Sequence, residues 1–186
     1  MDIKPLTSDE QLEFISKVYD ANQNIVSLAD SKANMSITIQ SILIGIALGS
    51  SLIINTLDKI RKLNNNLVFS SFYFLLFFFI SISMIGIVCS ILVYKNRLPA
   101  EKCEMERDGL IYFNHISKIE SSDQYVNKIR AIDKEGIVKD YGCQVYQIAR
   151  IISAKMYYLN ISIYCLILNI ICSILIILLS GYISVA

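Results

Sequence analysis

Three stretches of the chain contain no Asp, Glu, Lys or Arg: Ala33 to Thr56, Leu67 to Tyr94 and Tyr157 to Val185. A helix rises about 1.5 Å per residue, so the last stretch would reach about 43 Å, more than the roughly 30 Å hydrocarbon core of a bilayer. All three exceed the length at which an apolar run is read as a membrane crossing. The pattern predicts an all-α membrane protein with transmembrane helices over 33–56, 67–94 and 156–185. Nearly all the charge is left to residues 1–32 and 95–155, with a short connection at 57–66.

The first and last spans extend beyond their apolar parts. Leu12, Ile15, Tyr19, Asn22, Val26, Ala29 and Ala33 recur at alternating spacings of three and four, a heptad seam. Ser8, followed by Asp9, Glu10 and Glu13, provides an N-terminal cap and complements the helix dipole. No Gly or Pro intervenes before the span, so one helix is expected from about Asp9 to about Asn55. The seam fits self-association, in which the polar Asn22 would set register, and fits equally an amphipathic helix packed on its own chain. At the other end Asp133 opens a helix whose stripe of Ile137, Val138, Tyr141, Val145, Ile148 and Ile152 runs into the last span. The first and last helices are therefore long, and both extend into a small cytoplasmic helical segment.

Within the spans, Ser41, Gly45 and Gly49 lie at i, i+4 and i+8, a small face that allows close helix approach, within the chain or between copies. Gln40 requires a hydrogen bond inside a bundle, since an unsatisfied amide in hydrocarbon costs several kcal/mol. Cys165, Asn169 and Ser173 share one face of the last span. The Phe-rich first half of the second span reads as lipid-facing. After it, Leu98-Pro99 ends the helix, and Leu110 to Ile116 is a short strand or one helical turn. Ser121 caps a helix to about Ala131, with Tyr125, Val126 and Ile129 on one face.

The 17 Lys and Arg nearly balance 16 Asp and Glu, and no basic patch suggests nucleic-acid binding. Residues 57–66 hold Lys59, Arg61 and Lys62, and the remaining basic residues lie on the other side. The positive-inside rule then places the N-terminus and residues 95–155 in the cytoplasm. The acidic residues of the first 32 do not fit a cleavable signal peptide. Five cysteines without a Cys-x-x-Cys pair give no reason to expect a disulfide or a zinc site. One His, and no HExxH, GxSxG or phosphate loop, leave no catalytic constellation, so no enzyme activity, cofactor or metal is expected.

Ala29-Asp30-Ser31-Lys32-Ala33-Asn34 at the start of the first span, and Gly109-Leu110-Ile111-Tyr112-Phe113-Asn114-His115-Ile116 followed by SSDQYVNKIRAI, resemble the transmembrane effectors of bacterial Pycsar antiphage defence. The resemblance covers residues 10 to 182. It implies a non-enzymatic effector in the bacterial inner membrane. A partner cyclase makes cyclic CMP or cyclic UMP on infection, the effector responds, and loss of membrane integrity kills the cell before phage release. No ligand-binding residues carry over from the resemblance. By chemistry alone, a cyclic mononucleotide needs a cation or amides for its phosphate and an aromatic face for its base. Arg107, Tyr112, Asn114 and His115 supply these, with Lys32 at the membrane-proximal level of the first helix. Tyr112 and Phe113 also suit a small core, and Asp30 and Lys32 suit a polar collar setting the depth of the span. The expected partners are the bilayer, a cyclic pyrimidine mononucleotide and further copies of the chain. The alternative is an oligomeric membrane scaffold or small transporter subunit without a nucleotide ligand.

Overall fold

The computed structural model describes residues 6–63, 66–95, 110–111 and 113–185. The described residues form six helices and no strand: α1 (Ser8–Gly49), α2 (Ser51–Leu63), α3 (Asn66–Lys95), α4 (Phe113–Ile116), α5 (Ser122–Ala131) and α6 (Lys134–Val185). Three of them are long and apolar enough to cross a membrane, spanning Ser8–Gly49, Ser70–Lys95 and Lys134–Ile183. The fold is the all-α membrane class that the hydropathy pattern predicts. Two compact units share the two longest helices, one formed by Met1–Leu28 with Asn96–Ala154 and the other by Ala29–Lys95 with Lys155–Ala186.

In the first unit, α1 starts one residue earlier than the expected cap. Thr7, not Ser8, is the capping residue: its N–H donates to Glu10 Oε2 at 2.7 Å, and its Oγ1 accepts from the Glu10 N–H at 3.4 Å. This is a reciprocal capping box. The heptad seam packs within the chain. Tyr19 meets Tyr141 edge to face with centroids 5.7 Å apart, and Ile15 lies beside Gly142. Lys134 Nζ donates to Asp9 Oδ1 at 2.6 Å, an exposed pair that contributes less than about 1 kcal/mol. Leu12, Ile15, Tyr19, Asn22 and Val26 are all half-buried, so this seam is the amphipathic face of a helix packed on its own chain.

α5 follows the expected design. Ser121 Oγ accepts from the Gln124 N–H at 3.2 Å, and the helix ends at Ala131. Its expected face is only partly used, since Tyr125 is half-buried while Val126 and Ile129 are exposed. Residues 113–116 resolve the strand-or-turn alternative as a single helical turn. Asp133 Oδ1 accepts from the Gly136 N–H at 2.9 Å, capping the 52 residues of α6.

The second unit differs from expectation at the end of α1, which stops at Gly49 instead of Asn55. Ser50 breaks the helix and restarts it. Its N–H still donates to Ile46 O at 3.0 Å, while its carbonyl and Oγ both accept from the Ile53 N–H, at 3.2 and 3.4 Å. Adjacent Gly and Ser residues make this the weakest helical stretch of the run. Residues 57–63 are therefore not an irregular loop but the second half of α2. Ile53, Thr56 and Ile60 of α2 are buried at helical spacing, and the helix packs against α3.

The Phe-rich half of α3 is also not wholly lipid-facing. Phe74 and Phe77 are exposed, but Phe72 and Phe79 are fully buried. With Ala47, Ile53, Ile60, Cys172, Ile176 and Ile183 they form an apolar core at the α2 end of this unit. The inward positions repeat every seven residues: Ala33, Gln40 and Ala47 on α1, Phe72, Phe79, Gly86 and Val93 on α3, and Lys155, Ser162, Asn169, Ile176 and Ile183 on α6. That repeat is the signature of left-handed, knobs-into-holes packing.

Candidate functional site

The polar side chains of the second unit point inward and its large apolar ones point outward. Ser36, Gln40, Ser83, Ser90, Ser162, Asn169 and Ser180 are buried, whereas Ile42, Ile46, Phe74, Phe77, Ile174 and Leu178 are exposed. Lipid is the solvent that favours this inversion, because exposed apolar side chains cost nothing there while polar groups need one another.

The polar groups are arranged as a column. At one end Lys155, whose side chain is 6% exposed, donates to Asp30 Oδ1, and Tyr94 Oη donates to the Asp30 carbonyl at 3.0 Å. Next come three hydroxyls from three helices: Ser162 Oγ lies 2.8 Å from Ser36 Oγ and 2.5 Å from Ser90 Oγ. Gln40 Nε2 donates to Ser36 Oγ at 2.9 Å. The Gln40 carboxamide lies over Gly86, where an added Cβ would come within 2.3 Å of Oε1. Glycine is what admits the amide to the interior. Asp30 pairs with Lys155 and Ser36 with Ser162, so α1 and α6 run parallel. Asp30 meets Tyr94 and Gln40 meets Gly86, so α3 runs antiparallel to α1.

Several of these groups have no partner among the described residues. Gln40 Oε1, Ser83 Oγ, both amide atoms of Asn169 and Ser180 Oγ are buried without a hydrogen bond. Polar groups held this way inside a membrane protein are costly, which makes the column the chief candidate for a functional interior.

The first unit carries a second polar construction, around residues 110–116. Asp140 is 2% exposed, and its Oδ2 accepts from the N–H groups of Leu110 at 2.8 Å and Ile111 at 3.1 Å. Tyr125 Oη donates to the Leu110 carbonyl at 2.9 Å. One carboxylate on α6 and one phenol on α5 thus fix the start of the segment that leads to His115.

The predicted site residues separate accordingly. His115 is half-buried in the single turn α4, and Asn114 lies in the same turn. Arg107 and Tyr112 lie outside the described residues. Lys32 is exposed and belongs to the second unit. Of the helix-packing candidates, Gln40 and Asn169 are buried in the column, and Asn22 is half-buried on the seam of the first unit. Ser41, Gly45 and Gly49 are exposed, and neither glycine has a neighbour within 4 Å of where a Cβ would stand. Among the described residues this small face has no packing partner.

Asp140, the Asp30–Lys155 pair and the serine triad went unforeseen. A signal for part of this existed, because Lys155, Ser162 and Asn169 recur at seven-residue intervals, as do Ser83 and Ser90. Cys143 is disulfide-bonded, contrary to the expectation of free thiols, whereas Cys89, Cys165 and Cys172 are free. Tertiary approach of two thiols leaves no mark in linear spacing. Among the described residues no group of His, Cys, Asp and Glu is placed to hold a metal ion.

Long apolar helices closed around a polar interior define a multi-span α-helical membrane protein. Residues 14–181 match the family model of the Pycsar effector protein domain, PycTM, and the chain belongs to that family. No curated protein matches the chain, and no solved structure does.

Proposed function

We propose that this chain is the membrane effector of an antiphage system: a cyclic pyrimidine mononucleotide, cyclic CMP or cyclic UMP, from a partner cyclase activates it, and the activated protein impairs the inner membrane. It performs no catalysis itself. The observation that carries this reading is the family match over residues 14–181. The physical design agrees with it. α1 and α6 each belong to both units without a break at the boundary, so a ligand that favours one arrangement of the charged unit acts on helices that continue into the apolar one. The basic-residue asymmetry favours a cytoplasmic N-terminus and cytoplasmic residues 95–155, which puts the charged unit on the side where a cyclase product accumulates.

In this reading Arg107 meets the phosphate, Tyr112 stacks on the base, and Asn114 and His115 read its polar edge. Co-expression with a cyclase tests the assignment. Wild-type protein is expected to depolarise cells only when the cyclase is active, and Arg107→Ala and Tyr112→Ala are each expected to abolish the response at unchanged protein level. Retention of full response by both variants would remove this site. The protein is further proposed to act as a homo-oligomer through Ser41, Gly45 and Gly49, a small face left open by its own chain.

A further inference from the structure

We propose that the buried polar column of the second unit, closed in this structure, takes up water when the helices part and is the route by which the activated protein conducts, each protomer through its own three-helix interior. The proposal rests on the reading of the chain as a membrane-impairing effector and adds where the impairment occurs.

The Ser36–Ser162–Ser90 triad ties three helices at one level. Seven residues further toward the α2 end, about 10.5 Å along each axis, lie Ser83 on α3 and Asn169 on α6. Gln40 stands between, four residues or about 6 Å beyond Ser36. Gln40, Ser83 and Asn169 are all 0% exposed, and Gln40 Oε1, Ser83 Oγ, Asn169 Oδ1 and Asn169 Nδ2 meet no hydrogen-bond partner among the described residues. These four atoms include both acceptors and donors at adjacent levels. Water satisfies such a mixture, since one molecule donates two hydrogen bonds and accepts two. A purely structural use of these residues would pair them with one another, as the serine triad does.

The column has two different ends. Toward Asp30 and Lys155 it stays polar through the triad. Toward α2 it meets Phe79, Phe72 and Ile176, each no more than 2% exposed, which close the interior with apolar surface. An apolar constriction after a hydrated stretch is a barrier that small helix displacements can open by wetting. In this structure the polar stretch is itself closed, since Gln40, Ser83, Ser90, Ser162 and Asn169 are all 0% exposed, so the helices must part to admit water there as well as at the collar.

The test uses the full-length protein in cells, with membrane potential followed by a dye and cyclase present or absent. Phe79→Ser is expected to depolarise without cyclase, because it carries the polar lining through the collar. Asn169→Leu combined with Ser83→Ala is expected to slow cyclase-dependent depolarisation about tenfold or more, while leaving the protein inserted and at least as resistant to unfolding, since it replaces unpaired polar groups by apolar ones. Adding Asn169→Leu to Phe79→Ser is expected to silence the leak again, which a leak from misfolding would not do. If the double variant conducts like wild type, or the Phe79→Ser leak survives Asn169→Leu, the path is wrong while cyclase-dependent action of the wild type still stands. If the wild type ignores the cyclase but Phe79→Ser leaks and Asn169→Leu suppresses it, the path stands and the ligand reading falls.

Discussion

At the scale of single residues, the second unit combines one charged contact with a set of neutral ones, and their magnitudes differ. Lys155 is buried, and its ammonium group is paired with the Asp30 carboxylate. Removing one partner of such a pair leaves an uncompensated charge, whereas replacing both by apolar residues is often close to neutral. Asp30→Ala is therefore expected to lower resistance to denaturation in mild detergent by about 3 kcal/mol, and Asp30→Leu with Lys155→Met to recover most of it. If the double variant is no better than the single, the pair is not the source of the loss. Little of this could be read in advance. Asp30 and Lys155 are 125 positions apart, and each alone reads as the polar edge of a span. Asp140 likewise looked like one of many solvated acids on a helix, and its role depends on two backbone N–H groups 29 and 30 residues away. What was legible at this scale was local chemistry: Ser121 and Asp133 as caps needed only the residues next to them.

At the scale of elements, long apolar runs gave all three spans, and the uninterrupted stripe gave α6 as one helix. The Ser50 break was missed because serine and glycine are tolerated in membrane helices and the cost of continuing through them is small. The heptad seam was legible as a packed face, but periodicity is silent about which helix packs on it. The helix start makes a pH prediction. Hydrogen bonds from the Thr7 backbone and hydroxyl hold the Glu10 carboxyl below the ordinary carboxylate value. A lowered pKa means that the contribution is present above the unfolded value and lost as pH falls through the folded one. Protection of the first-turn amides of α1, taken relative to their intrinsic exchange rate at each pH, is expected to fall on acidification through that range in the wild type and to lose this step in Glu10→Gln. An identical acid step in the variant would contradict the capping box as its cause. A second element-scale prediction concerns the open small face. A Cβ at Gly45 or Gly49 has no described atom within 4 Å beyond its own helix turn, so Gly45→Leu and Gly49→Leu are each expected to leave the monomer folded and inserted while weakening self-association in native-membrane mass measurements. A wild type that is monomeric at all concentrations in membranes would contradict assembly through this face.

At the scale of the whole molecule, the proposed function needs a ligand response and a membrane response in one small chain. Both long helices take part in both units, so the two responses need no flexible linker between them. On the proposed function, a cyclic pyrimidine mononucleotide alone makes this protein permeabilise a bilayer. Purified full-length protein in liposomes loaded with a self-quenching dye tests it directly. Addition of cyclic CMP or cyclic UMP is expected to release the dye in a saturable manner, with no release by the corresponding linear monophosphates. Protein that is inserted and folded yet releases no dye with either cyclic nucleotide at any concentration would contradict the account.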